Sequence, residues 1–223
     1  MAFLAATLVV AGCASKPDTD DDNAFWSALR FTSAEVEQYE SVSAMAASAD
    51  LVVLGTIEEI GVGRTWGSQD PTDRLTTLAL QVKIDGVLRG KPIDGVVDVV
   101  SVEREVMSLA SDALGASVSN EGLTLNDGVV AAIPNGKAVW FLRLRDDEGT
   151  ELVAAEVQFA GGRSYRLVNS MGLVTEAEGG SATTPVAEVT HFHDRAAELP
   201  EEWLFADITD LGFAQVVDAA RVP

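Results

Sequence analysis

Polar and apolar positions alternate most regularly over residues 75–88, where Leu78, Leu80, Val82 and Ile84 fall on one side and Ala79, Gln81, Lys83 and Asp85 on the other. A period of two marks a strand with one face toward a core. Upstream, Leu51-Val52-Val53-Leu54-Gly55-Thr56-Ile57-Glu58-Glu59-Ile60 is rich in β-formers, and its continuous apolar half predicts a strand buried on both sides. Arg89-Gly90-Lys91-Pro92 turns the chain into a third strand over 96–102, and Ala138-Val139-Trp140-Phe141-Leu142-Arg143-Leu144 reads as a fourth. After the turn Asp146-Asp147-Glu148-Gly149, strand resumes over 152–159, and residues 164–168 and 172–176 form a last bent strand or hairpin.

Helical spacing is confined to short stretches. Val42, Met45 and Ala46 share one face of a helix that Ser41 caps with its hydroxyl. Residues 106–114 carry Val106, Leu109, Ala110 and Ala113 on one side. A C-terminal helix runs from Leu211 or Phe213 to Ala220, with Thr209 or Asp210 as its N-cap. Residues 61–73 read as loop by composition, 111–136 as loop-rich, and no repeat of 20 to 50 residues points to a solenoid or propeller. These elements predict a mainly β fold, a small OB-like β-barrel with short N- and C-terminal helices.

The N-terminus changes the picture. The sequence holds a single cysteine, Cys13, and the apolar stretch before it is far shorter than the about 20 residues needed to cross a bilayer. Val10-Ala11-Gly12-Cys13 resembles the lipobox of bacterial lipoproteins, in which the cysteine is acylated and becomes the mature N-terminus. The resemblance implies a signal peptide over 1–12 and a lipid anchor on Cys13; two acyl chains satisfy the two-signal requirement for stable membrane attachment. Residues 1–12 contain no Lys or Arg where a signal normally carries positive charge, so the expected start lies upstream. Residues 13–24, with Asp18, Asp20, Asp21 and Asp22, read as an acidic tether, and 25–223 as one domain. Asp18, Asp20 and Asp22 have the spacing of a calcium loop. The match fails at Asn23, where that loop needs glycine, and at Leu29, where it needs glutamate.

Charge narrows the partners. With 35 acidic and 15 basic residues the formal charge is −20, which disfavours nucleic acid and charge-driven docking on anionic lipid. The expected location is the extracytoplasmic face of the cell membrane, held by the anchor, with an envelope protein or glycan as partner and no cofactor.

Three segments carry a further resemblance: Ala49-Asp50-Leu51-Val52-Val53-Leu54-Gly55-Thr56-Ile57, Val87-Leu88-Arg89-Gly90 and Gly136-Lys137-Ala138-Val139-Trp140-Phe141-Leu142. Together they are similar to a group of exported bacterial proteins of unknown function, over residues 39–176. The chain is also similar to the netrin-like OB barrels of metalloproteinase inhibitors, which implies a fold and not inhibition. In those inhibitors a free N-terminal cysteine reaches the protease zinc, whereas Cys13 is expected to be acylated, and their disulfides have no counterpart here.

Candidate chemistry is sparse. His191 and His193, the two histidines, share a side of an extended Thr190-His191-Phe192-His193-Asp194 and offer two ligands for zinc or copper, with Asp194 or Glu188 as a third. Glu58-Glu59 and Glu103-Arg104-Glu105 are expected on solvated faces, and the glycine-rich 61–67 as a flexible connection. Of Trp26, Trp66, Trp140 and Trp203, Trp140 belongs in the core, and Trp66, in its expected loop, is the candidate for an exposed ligand platform. The reading is a non-catalytic binding or interaction module; the alternative is a metal-binding protein or enzyme using His191 and His193.

Overall fold

A computed structural model describes residues 19–30, 37, 39–67, 70, 74–93, 98–105, 118–125, 128–145, 152–154, 163–187 and 204–221. Its centre is a closed five-stranded barrel. Strands β1 (Leu51–Gly67), β2 (Arg74–Gly90) and β3 (Val99–Glu105) form an antiparallel meander. Beyond it lie the short strands β4 (Val118–Ser119), β5 (Gly122–Thr124) and β6 (Val130–Ala132), then β7 (Ala138–Leu144), β8 (Leu152–Ala154) and β9 (Tyr165–Leu167). Strand β9 runs parallel to β3 and antiparallel to β7, and β7 pairs antiparallel with the first half of β1, which closes the ring. The expected mainly β fold with an OB-like barrel and short helices at both ends holds.

Side-chain period explains the closure. Leu51, Val53, Leu78, Leu80, Val82, Val100, Val102, Trp140, Leu142, Tyr165 and Leu167 all belong to one buried cluster, the barrel interior. Alternate residues of the same strands, Val52, Val139 and Phe141, and Val168 just after β9, belong to a second cluster outside it. A seventeen-residue strand must bend to serve both halves of so small a ring, and β1 does so through four register shifts. Gly55 sits at one of them, where a Cβ would lie 2.4 Å from the Lys83 carbonyl oxygen.

Helices cover the barrel on two sides. Helix α1 (Thr19–Ala28) and the residue after it send Phe25, Trp26 and Leu29 into the interior cluster, where Trp26 leans on Trp140 with ring centroids 6.5 Å apart. Arg104 Nε donates to the Leu29 carbonyl at 2.7 Å and so ties the end of that helix to β3. Helix α2 (Val42–Ser48) buries Val42, Met45 and Ala46 as the spacing required, with the Ala44 N–H donating to Ser41 Oγ at 3.1 Å. It joins α3 (Leu204–Asp210) and α4 (Phe213–Ala219) in the outer cluster, and Asp207 accepts the Val42 N–H at 2.9 Å.

Several boundaries differ from expectation. Helix α1 begins inside the expected acidic tether, at Thr19, and the docking of Phe25, Trp26 and Leu29 supports it. Residues 61–67 continue β1 instead of opening a loop, because Gly61, Val62, Thr65, Trp66 and Gly67 find partners on β2. Strand β3 occupies 99–105 rather than 96–102, and part of the expected loop at 111–136 is the three-stranded sheet β4-β5-β6. The C-terminal segment holds two helices. Thr209 and Asp210 end the first, so the second starts after Gly212, whose N–H donates to Gln215 Oε1 at 2.8 Å. Residues 164–176 form the expected bent strand: β9 and β10 (Leu173–Glu176) pair successively with β7, and Phe141 bonds across the interruption to Val168 and Gly172. The last short strand, β11 (Ala182–Thr183), pairs with β10. The helix expected over 106–114 lies outside the described residues.

Candidate functional site

The strand order brings two connections together. The β1–β2 hairpin and the chain between β7 and β9, which contains β8, meet where β8 pairs with the end of β1, Thr65 opposite Ala154 and Trp66 opposite Leu152. At the root of the second connection the Arg145 N–H donates to the Ser164 carbonyl at 2.9 Å, so its two ends leave and re-enter the barrel side by side.

One carboxylate holds these roots. Glu103, on β3, is only 2% exposed. Its Oε1 accepts from Arg64 Nε at 2.8 Å, its Oε2 accepts from the Thr77 hydroxyl at 3.1 Å, and Arg145 Nη1 lies 3.8 Å from Oε2. Arg64 also donates to the Ser164 hydroxyl. β1, β2, β3, β7 and the start of β9 are thus tied to one another by side chains that satisfy each other's charge, as burial of ions demands. Gly63 makes this possible. A Cβ there would sit 2.3 Å from Thr77 Oγ1, so only glycine leaves the hydroxyl its place against Glu103.

A second cluster stands on the same strands. Arg143 on β7 and Arg166 on β9 are directly opposed in register, and Glu37 lies between them. Glu37 Oε1 accepts from both guanidinium groups, with Arg166 Nη2 at 3.4 Å, and Oε2 accepts from the Tyr39 hydroxyl. Asn169 Nδ2 donates to the Glu37 carbonyl at 3.1 Å, and Arg143 Nη2 donates to the Ser48 carbonyl at 3.1 Å. Partial burial raises the Glu37 carboxyl pKa, but the Tyr39 hydrogen bond and the charges of Arg143 and Arg166 outweigh it and hold the group below the ordinary carboxylate range. Burial and the bond to Glu37 push the Tyr39 phenol up.

Neither carboxylate is given a role by the sequence pattern. Glu103 was expected on a solvated face, and the structure corrects this: Val100 and Val102 do point inward, but the opposite face at Glu103 is buried as well. The available signal was Gly63-Arg64 beside a strand, since glycine inside a strand marks a close approach. Glu37 carries no signal, because Arg143, Arg166 and Asn169, which give it its setting, lie more than 100 residues away. Trp66 lies in strand β1 by its backbone, not in a loop. Trp26 and Trp140 are buried, which removes both as ligand platforms. Cys13, His191, His193 and Trp203 lie outside the described residues. Among the described residues, no three His, Cys, Asp or Glu side chains gather to hold a metal ion, and no helix is long and apolar enough to cross a membrane. No known protein family matches the chain, and no curated protein matches it in sequence.

Proposed function

We propose that this protein is a cell-envelope lipoprotein, anchored through Cys13, whose OB-like barrel serves as a non-catalytic binding module. The observation that carries the binding half is the junction of the β1–β2 hairpin with the β7–β9 connection, braced at its root by Glu103. OB-type barrels take oligonucleotides and oligosaccharides at the loops between their first and second and their fourth and fifth strands, which are these two connections. A charge of −20 disfavours the oligonucleotide and leaves a glycan or an envelope protein. The ionisable groups beneath the loops are spent on one another, which suits a rigid presenting surface better than proton transfer. The anchor half rests on Val10-Ala11-Gly12-Cys13.

In-cell crosslinking of the tagged chain tests both halves against a Cys13→Ala form. The expected result is a partner captured by the anchored form alone, with acylated Cys13 in the intact mass of membrane-extracted protein. An unmodified thiol would sink the anchor, and capture of no protein by either form would turn the search to glycans.

A further inference from the structure

The Glu37 cluster has the composition of a recognition site filled by the chain itself. Two arginines directly opposed across antiparallel strands repel each other, so the pair Arg143 and Arg166 calls for an anion between them. The anion present is Glu37, supplied by the segment that links α1 to α2. Beside it, Asn169 reads a main chain: its Nδ2 takes the Glu37 carbonyl. The other half of the same amide is unused. Asn169 is 8% exposed, and its Oδ1 is buried with no donor among the described residues. A buried amide oxygen left unpaired costs about 1–3 kcal/mol. Glu37 therefore fits the site incompletely, giving a carboxylate and a carbonyl but no N–H. An extended peptide that offers all three would satisfy it better.

We propose that Arg143, Arg166 and Asn169 form a binding site for an acidic residue of an extended peptide, that Glu37 occupies it in the resting chain, and that a partner's acidic segment enters by displacing Glu37. The site goes beyond the loop junction and gives the barrel a second, separate binding surface. It lies on the outer wall of β7 and β9. The protein's charge of −20 opposes an acidic partner at long range, but screening over about 8 Å at physiological salt leaves the local arginine pair to decide. The tethered Glu37 competes at an effective concentration on the millimolar scale. Wild type is consequently a weak binder, and removal of the Glu37 carboxylate exposes the site.

The test is fluorescence anisotropy of the full chain with a labelled peptide copying residues 35–41, Glu-Val-Glu-Gln-Tyr-Glu-Ser, at physiological salt. Glu37→Gln is expected to bind it at least tenfold more tightly than wild type. Adding Arg166→Gln should abolish the gain, and a peptide with glutamine in place of its second glutamate should bind at least tenfold more weakly. Circular dichroism establishes that each variant is folded. Tyr39→Phe, which loosens the hold on Glu37 without removing its charge, provides a second route should Glu37→Gln fail to fold, with a gain of several-fold. If the folded variants bind no tighter than wild type, if both peptides bind alike, or if free acetate competes as well as the peptide, the proposal is overturned. None of these outcomes bears on the anchor or on the loop junction, which the crosslinking addresses separately.

Discussion

Two clusters in this barrel share one plan and differ in one variable. Each places a carboxylate against two arginines and a hydroxyl: Glu103 with Arg64, Arg145 and Thr77, and Glu37 with Arg143, Arg166 and Tyr39. Each takes one arginine from the end of β7 or the residue just after it, Arg143 and Arg145. The Glu103 side chain is 1% exposed and its arginines 11% and 13%; the Glu37 side chain is 27% exposed and its arginines 28% and 42%. Burial therefore sets what each cluster can do. Under protein, a broken pair strands charge in a medium that cannot solvate it, so the Glu103 cluster is a fixed brace. Near water, a released arginine is resolvated at little cost, so the Glu37 cluster can exchange its anion.

The largest expected effect breaks the buried brace. Glu103→Gln keeps the shape and removes the charge facing Arg64 and Arg145, and should cost about 3–5 kcal/mol in urea unfolding. A loss under about 1 kcal/mol would mean that the two clusters are energetically alike and that burial is not the deciding variable.

A smaller effect addresses how the brace is seated. Gly63→Ala brings a Cβ to 2.3 Å from Thr77 Oγ1 and should cost about 1–3 kcal/mol. Because Thr77→Ala removes the clashing atom, the double variant should lose less than the sum of the singles by about 0.5 kcal/mol or more. Strict additivity would mean that Gly63 is not there to admit the hydroxyl.

The smallest effect belongs to the exposed cluster. Glu37→Gln should cost about 0.5–1 kcal/mol at neutral pH, and the loss should shrink in high salt. Its pH dependence has a definite sign. The folded pKa of Glu37 is depressed, so its contribution is present above the ordinary carboxylate range and disappears as pH falls through the lower, folded value. Thermal melts of wild type and variant should therefore converge in acid. Curves that stay parallel across that window would assign the stabilisation to something other than the carboxylate charge.

Much of the barrel was legible in the residues. The alternation of Leu78, Leu80 and Val82 and the apolar runs of 51–60 and 138–144 specify strands by period alone, and the Ser41 cap with Val42, Met45 and Ala46 specifies α2. Residues 61–67 read as loop because Gly61, Gly63 and Gly67 interrupt the β-formers Val62, Thr65 and Trp66; their pairing with 74–79 supplies what propensity lacks. The start of α1 at Thr19 is not legible for a related reason, since a polar first turn gives no period until Phe25 and Trp26 dock.

The sequence alone determined the period of each strand, the overall charge, and the lipobox-like run at Cys13, all of which are local or additive properties. Only the tertiary structure decided which charges meet. Arg64 and Glu103 are 39 residues apart, Glu37 and Arg143 are 106, and both arrangements exist because closure of the ring stacks β7 and β9 against β3 and β1. It decided as well that one glutamate is buried and the other is not, a difference that a pattern of letters does not contain because it depends on what the folded chain lays over each.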